Sequence, residues 1–171
     1  MRNIVLTGFM ASGKTAAGKI IAERLQVNFA DVDKCIEAEQ GMPISAVFEK
    51  YGEKHFRRLE KIMTEKVSRQ KDQVIATGGG AVIDPVNVRN LRRNGVIFWL
   101  YVPAGEVKRR TREDSGRPLL AGPCPEKTID KLLRERERYY AQADHKVDTT
   151  GLSIEEVAGK VIALFKEGGN A

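Results

Sequence analysis

The chain has 171 residues, enough for one domain that buries roughly 70% of the surface its unfolded form exposes. It is 42% hydrophobic and 30% charged, as soluble globular proteins are. No apolar run approaches the roughly 20 residues that span a bilayer. Met1-Arg2-Asn3 leads straight into Ile4-Val5-Leu6, which leaves no room for a signal peptide. The expectation is a single domain over residues 1–171, cytoplasmic, with no membrane partner.

The net charge of +6 suits either nucleic acid or small anionic ligands. Basic residues are dense at Lys108, Arg109, Arg110, Arg112 and Arg117, but no aromatic residue lies among them to stack on bases. The charge is therefore read as serving phosphates and carboxylates of small molecules, not nucleic acid. Lys108 and Arg112 also fit a plain solvated helix face. The cysteines, Cys35 and Cys124, lack metal-ligand spacing and read as free thiols, and His55 and His145 stand apart, so zinc is not expected.

In chain order, Ile4-Val5-Leu6 predicts a buried strand and residues 15–25 a helix. A second strand is expected over 27–32, then a long helix from Pro43 to about Arg69 with the proline in its first turn. Val74-Ile75-Ala76-Thr77 is a third strand, ended by Gly78-Gly79-Gly80. Residues 85–93 form a helix closed by Asn94-Gly95, and 96–102 the clearest buried strand. A helix over 105–112 precedes a Gly/Pro-rich loop at 114–125. Further elements are expected at 128–143 (helix), 146–148 (strand) and 153–166 (helix), the last opened by a Ser153/Glu156 capping box. There is no internal repeat. Alternating helices and continuous apolar strands predict an α/β fold, a parallel sheet covered by helices on both faces.

Gly8-Phe9-Met10-Ala11-Ser12-Gly13-Lys14-Thr15 fits G-x-x-x-x-G-K-[ST] between a predicted strand and a predicted helix, the context such a phosphate loop requires. Curled backbone turns successive N–H groups toward phosphates, and the helix N-terminus adds a positive field. Ala11, Ser12, Gly13, Lys14, Thr15 and Ala16 are the expected ATP contacts there. Lys14 carries charge to the β and γ phosphates, and the Thr15 hydroxyl suits Mg²⁺.

Asp31 and Asp33 alternate along the second strand, which would place both carboxylates on one face at the carboxyl end of the sheet. Asp31 is read as a Mg²⁺ ligand beside Thr15. Asp33 is read as the group that orients an acceptor hydroxyl and takes its proton. Helix capping would account for Asp33 but not for Asp31. Arg57 and Glu60 share a helix face, so the carboxylate can fix a guanidinium ready to bind an acceptor carboxylate through two hydrogen bonds. Arg136 is a second candidate for that carboxylate. Gly78-Gly79-Gly80 lets a ligand approach bare backbone.

Six motifs in order resemble the shikimate kinases. They are the phosphate loop, Asp31-Val32-Asp33, Gly52-Glu53-Lys54-His55-Phe56-Arg57-Arg58-Leu59-Glu60, Gly78-Gly79-Gly80, Arg117-Pro118-Leu119-Leu120, and Arg136 with Tyr140. The resemblance implies a three-layer α-β-α sandwich with five parallel strands in the order 2-3-1-4-5 and a mobile lid at about 112–125. It implies an acceptor-binding helical region at about 33–61. ATP with Mg²⁺ would phosphorylate the 3-hydroxyl of shikimate, on the route to chorismate and aromatic amino acids.

By motif, Asp33, Arg57, Gly79, Gly80 and Arg136, with Gly78 beside them, would hold shikimate, and Glu60 would hold Arg57. Lys14 and Arg117 would join Asp33 in catalysis, Arg117 closing with the lid over the nucleotide, and Arg110 would lie against adenine. A monomer is expected.

Two departures stand out. Ala11 replaces a glycine common in the family's loop, with no loss of binding expected. Thr150-Gly151-Leu152 matches no adenine-loop pattern. The alternatives are a gluconate kinase, a nucleotide kinase, or a catalytically idle nucleotide-binding regulator.

Overall fold

The computed structural model describes residues 1–111 and 125–169. The elements are β1 (Asn3–Thr7), α1 (Lys14–Leu25), β2 (Asn28–Asp31), α2 (Val32–Gln40), α3 (Ile44–Ser68) and β3 (Gln73–Ala76). A short 3-10 turn at Ala81–Ile83 precedes α4 (Pro85–Asn94), β4 (Gly95–Tyr101), α5 (Ala104–Thr111), α6 (Pro125–Tyr140), β5 (His145–Asp148) and α7 (Ile154–Glu167). The predicted loop at 114–125, with the Arg117 motif and Cys124, lies outside the described residues apart from its last position.

The strands form one parallel sheet in the order β2-β3-β1-β4-β5, as expected. Alternation along each strand divides the core in two. Ile4, Leu6, Val74, Phe98 and Leu100 face α1 and α7, while Val5, Ile75, Ile97 and Trp99 face the other helices. The three layers follow from this division. No helix among the described residues is long and apolar enough to cross a membrane.

Two local features differ from the expectation. The second strand stops at Asp31, so Asp33 sits in the first turn of α2 rather than on the strand. The cause is capping. The Asp31 carboxylate accepts hydrogen bonds from the backbone N–H groups of Asp33 and Lys34, which starts the helix one residue after the strand. Asp31, not Asp33, is therefore the cap.

The long helix α3 is also interrupted. Gly52 takes φ 79° and ψ 169°, an extended left-handed conformation that glycine alone adopts without strain. The helix therefore runs as two pieces, the second carrying Arg57 and Glu60. At the other end of the chain, Ser153 and Glu156 form the predicted capping box on α7.

Gly95 begins β4 where the amino end of that strand meets the end of α4. A Cβ there would lie 2.7 Å from the Leu91 carbonyl oxygen and 2.8 Å from Val5 Cγ2. Backbone cannot retreat as a flexible side chain does. Gly95→Ala is therefore expected to lose about 1–3 kcal/mol of stability in urea denaturation. An unchanged midpoint would show that the start of β4 has more room than these distances allow.

Candidate active site

The carboxyl ends of β1, β2 and β3 open into a cavity of about 570 Å³. Ligands sit at this end of open parallel sheets. The cavity is lined by Ala11, Gly13, Lys14, Thr15 and Ala16 on the phosphate-loop side. Asp31 and Asp33 line its middle, and Arg57, Glu60, Gly78, Gly79, Gly80 and Arg136 its far side. Nearly all of the expected site residues thus converge from separate elements. Ser12 is buried behind the loop instead, and Arg110 stands outside the cavity wall.

The phosphate loop is held from both ends. Gly13 caps α1 at φ 88°. Lys14 reaches back, its ammonium donating to the carbonyls of Gly8 and Phe9 at 2.9 Å each and to Ser12 Oγ at 3.3 Å. The cation is thereby stationed at the mouth of the loop. Ala11, the departure noted in the sequence, adopts φ 59°, in the left-handed region. A methyl group there costs about 1–2 kcal/mol. Arg110 spans from α5 to the Ala11 carbonyl at 3.0 Å, with its Nε on Glu106 at 2.6 Å.

The Thr15 hydroxyl donates to Asp31 Oδ2 at 2.7 Å, while the other oxygen of Asp31 caps α2. The metal-binding pair expected from the sequence is thus in direct contact at the cavity wall. Among the described residues no three His, Cys, Asp or Glu side chains gather as a metal site of their own.

The acceptor side is organised by buried charge. Glu60 is 2% exposed and receives Arg57 Nη1 at 2.8 Å. Glu53 takes the opposite edge of the same guanidinium, at 3.0 Å and 3.3 Å. Burial opposes the charge on Arg57, but the two glutamates outweigh it and hold its pKa above the ordinary value. Burial also pushes the Glu60 carboxyl up, against the pull of Arg57.

A Cβ on Gly80 would meet Arg57 Nη1 at 2.6 Å, and one on Gly78 would meet Glu60 Oε1 at 2.7 Å and Asp33 Oδ1 at 2.9 Å. Bare backbone is what lets these groups pack together. Asp33 Oδ1 is fully buried and has no hydrogen-bond partner among the described residues. Burial first, then the charges of Glu60 and Asp31, push its pKa from 3.8 to about 6, with Lys14 and Arg57 pulling the other way. Arg136, 5% exposed on α6, lies over the Phe9 ring and touches the Gly79 carbonyl at 3.4 Å.

Other parts of the arrangement were not read from the sequence. Phe48 and Phe56, their rings tilted against each other with centroids 4.7 Å apart, form an apolar wall beside Arg57. Their aromatic character within the α3 pattern was the available signal. Glu53 as a second holder of Arg57 was signalled by its spacing of four residues. Lys108, counted in the sequence among the charges for small anionic ligands with a solvated helix face as the alternative, pairs with Asp130 at 2.7 Å and ties α5 to α6.

Comparison with known proteins agrees with this geometry. The family model described as shikimate kinase matches residues 10–166. The chain belongs to the shikimate kinase family. A shikimate kinase of Caldanaerobacter subterraneus subsp. tengcongensis is 49% identical, over 96% of each chain. One from Thermoanaerobacter pseudethanolicus is 47% identical with the same coverage. The solved shikimate kinase from Acinetobacter baumannii, in complex with shikimate, superposes with a TM-score of 0.95 at 35% identity, covering 98% of this chain and 94% of its own. A gluconokinase from Sinorhizobium meliloti, at 15% identity and a TM-score of 0.66, shares the fold alone. As a member of the shikimate kinase family the chain is a phosphotransferase, and the idle-regulator alternative falls away.

The strain at Ala11 yields a test. Ala11→Gly removes the left-handed penalty but adds freedom to the unfolded chain, which offsets part of the gain. The net expectation is a rise of up to about 1 kcal/mol in urea denaturation, with nucleotide affinity kept. A fall in the midpoint would contradict the assignment of strain.

Proposed function

We propose that the chain transfers the γ-phosphoryl group of ATP to the 3-hydroxyl of shikimate in the cavity between the phosphate loop and the Arg57–Glu60 pair. The reading rests on one observation above others. A buried, carboxylate-held guanidinium, a second arginine and a buried aspartate converge on bare glycine backbone directly opposite a phosphate loop. An acceptor that carries both a carboxylate and neighbouring hydroxyls fits this set. Arg57 and Arg136 bind the carboxylate, and Asp33 with the backbone of residues 78–80 receives the hydroxyls.

In the reaction the acceptor oxygen forms a bond to the γ-phosphorus as the bond to the β,γ-bridging oxygen breaks. The hydroxyl proton passes to Asp33. The ammonium of Lys14 and the loop N–H groups neutralise charge that spreads over the phosphoryl oxygens. Arg117 joins them on the strength of its motif.

Thr15 and Asp31 fit a hard divalent cation. They offer two oxygens in contact at the cavity wall, and Mg²⁺ characteristically takes only one or two protein oxygens, filling its other positions with water and substrate phosphates. When bound, the ion supplies charge neutralisation at the β and γ phosphates. ATP and shikimate are the proposed partners, with the chain acting as a monomer in the cytoplasm.

Release of ADP, followed by a coupled assay with shikimate, gluconate, AMP and CMP in turn, tests the acceptor. Turnover with shikimate alone is expected. Turnover with gluconate or a nucleotide instead would replace the reading.

Asp33→Asn is expected to abolish transfer while ATP binding is retained. Its stability carries a second signature. Asp33 binds its proton more tightly in the folded chain than at its ordinary pKa of 3.8, so the stability this contributes is whole at low pH and is lost as pH rises through about 6. Relative to wild type, Asp33→Asn should therefore gain stability between about pH 4 and about pH 6 and hold that gain above it. A stability difference independent of pH would show that Asp33 is not held in this buried, proton-favouring environment.

A further inference from the structure

Tyr140 is a buried polar group for which the proposed reaction has no use. It is 1% exposed, one helical turn beyond Arg136 on α6, with its ring stacked on Trp99 at 5.9 Å. Its hydroxyl donates to the Gly79 carbonyl. Burial pushes its pKa up to about 12, so it remains a neutral donor.

Gly79 occupies a junction. A Cβ there would lie 3.6 Å from both the Gly8 carbonyl oxygen and the Met10 nitrogen, so its backbone packs against the phosphate loop while facing the acceptor cavity. With no side chain, this residue can be oriented only through its peptide groups. The plane that carries the Gly79 carbonyl also carries the Gly80 N–H, pointing the opposite way. A donor fixed on that carbonyl therefore sets the direction of an N–H at the acceptor site.

The same carbonyl touches Arg136 Nη1 at the longer distance of 3.4 Å. With Tyr140 as its principal donor, the carbonyl makes little demand on the guanidinium. Were the hydroxyl missing, Arg136 would lose its own bond to that hydroxyl, would be the remaining donor to the carbonyl among the described residues, and would be drawn toward it, away from a ligand carboxylate.

We infer that Tyr140 is a positioning residue for the acceptor, acting through the Gly79–Gly80 peptide and by keeping Arg136 available to a carboxylate. The inference rests on the acceptor site proposed above. It separates Tyr140 from the nucleotide side, since the loop it approaches is held independently by Lys14.

Steady-state kinetics with both substrates varied provides the test, on wild type, Tyr140→Phe and Trp99→Phe. Tyr140→Phe keeps the ring and its stacking, so the fold is retained. It should raise the shikimate KM about fivefold to tenfold, the effect of one lost hydrogen bond. The ATP KM and kcat should each stay within about twofold. In an Arg136→Lys background the same substitution should raise the shikimate KM by a smaller factor, because both changes act on one carboxylate contact. Trp99→Phe loosens the ring packing but keeps the hydroxyl, and should leave the shikimate KM near wild type.

An unchanged shikimate KM in Tyr140→Phe would overturn the inference. So would equal increases for both substrates, full additivity with Arg136→Lys, or an equal effect of Trp99→Phe. Failure of the proposed function would be seen separately, as wild-type chain that does not turn over shikimate.

Discussion

A carboxylate removed from water must be matched by a cation, and Glu60 imposes that requirement on the acceptor side of this molecule. It is 2% exposed beneath Gly78, and its match is Arg57, three residues earlier on the same helix. Removing one member of such a pair strands the other's charge, so the two are fixed together. The guanidinium then lies flat against Gly80, where any side chain would displace it. Asp33 shares the space above Gly78 with Glu60, and that shared burial is what lifts its pKa toward neutrality. The placement of a cation, the need for glycine at positions 78 and 80 and the basicity of the central aspartate thus share one cause.

Asp31 serves a comparable double purpose on the donor side. One of its oxygens starts α2 and the other holds the Thr15 hydroxyl at the head of α1. The two helices that begin at the carboxyl ends of β1 and β2, strands separated by β3, are therefore indexed to each other through a single side chain. Its capping role also delivers Asp33, since the helix begins early enough to carry that residue into the cavity.

The phosphate loop and the sheet were legible in the sequence because each is written locally, as a motif in one case and as continuous apolar runs in the other. Arg57 with Glu60 was legible as a spacing. The carriage of Asp33 was not, because strand alternation and helix capping compete over the same two residues, and the backbone N–H groups of Asp33 and Lys34 decided for the helix. The break at Gly52 was hidden within an otherwise sound helical pattern. The bond between Tyr140 and Gly79 joins positions 61 residues apart and leaves no local trace at either. The identity of the acceptor came from the conjunction of motifs, which no single residue type carries.

The division of the core by the two faces of the sheet has a bearing on how such a chain can change. The layer formed by α7 and the inner face of β5 meets Ile4, Leu6, Phe98 and Leu100, whereas the acceptor site is built from the opposite layer. Apart from Ile154, which approaches Gly13 of the phosphate loop, substitutions in that back layer alter how firmly the scaffold is held without entering the reaction space. Heat tolerance and catalytic chemistry can accordingly drift as two nearly separate traits within one small domain.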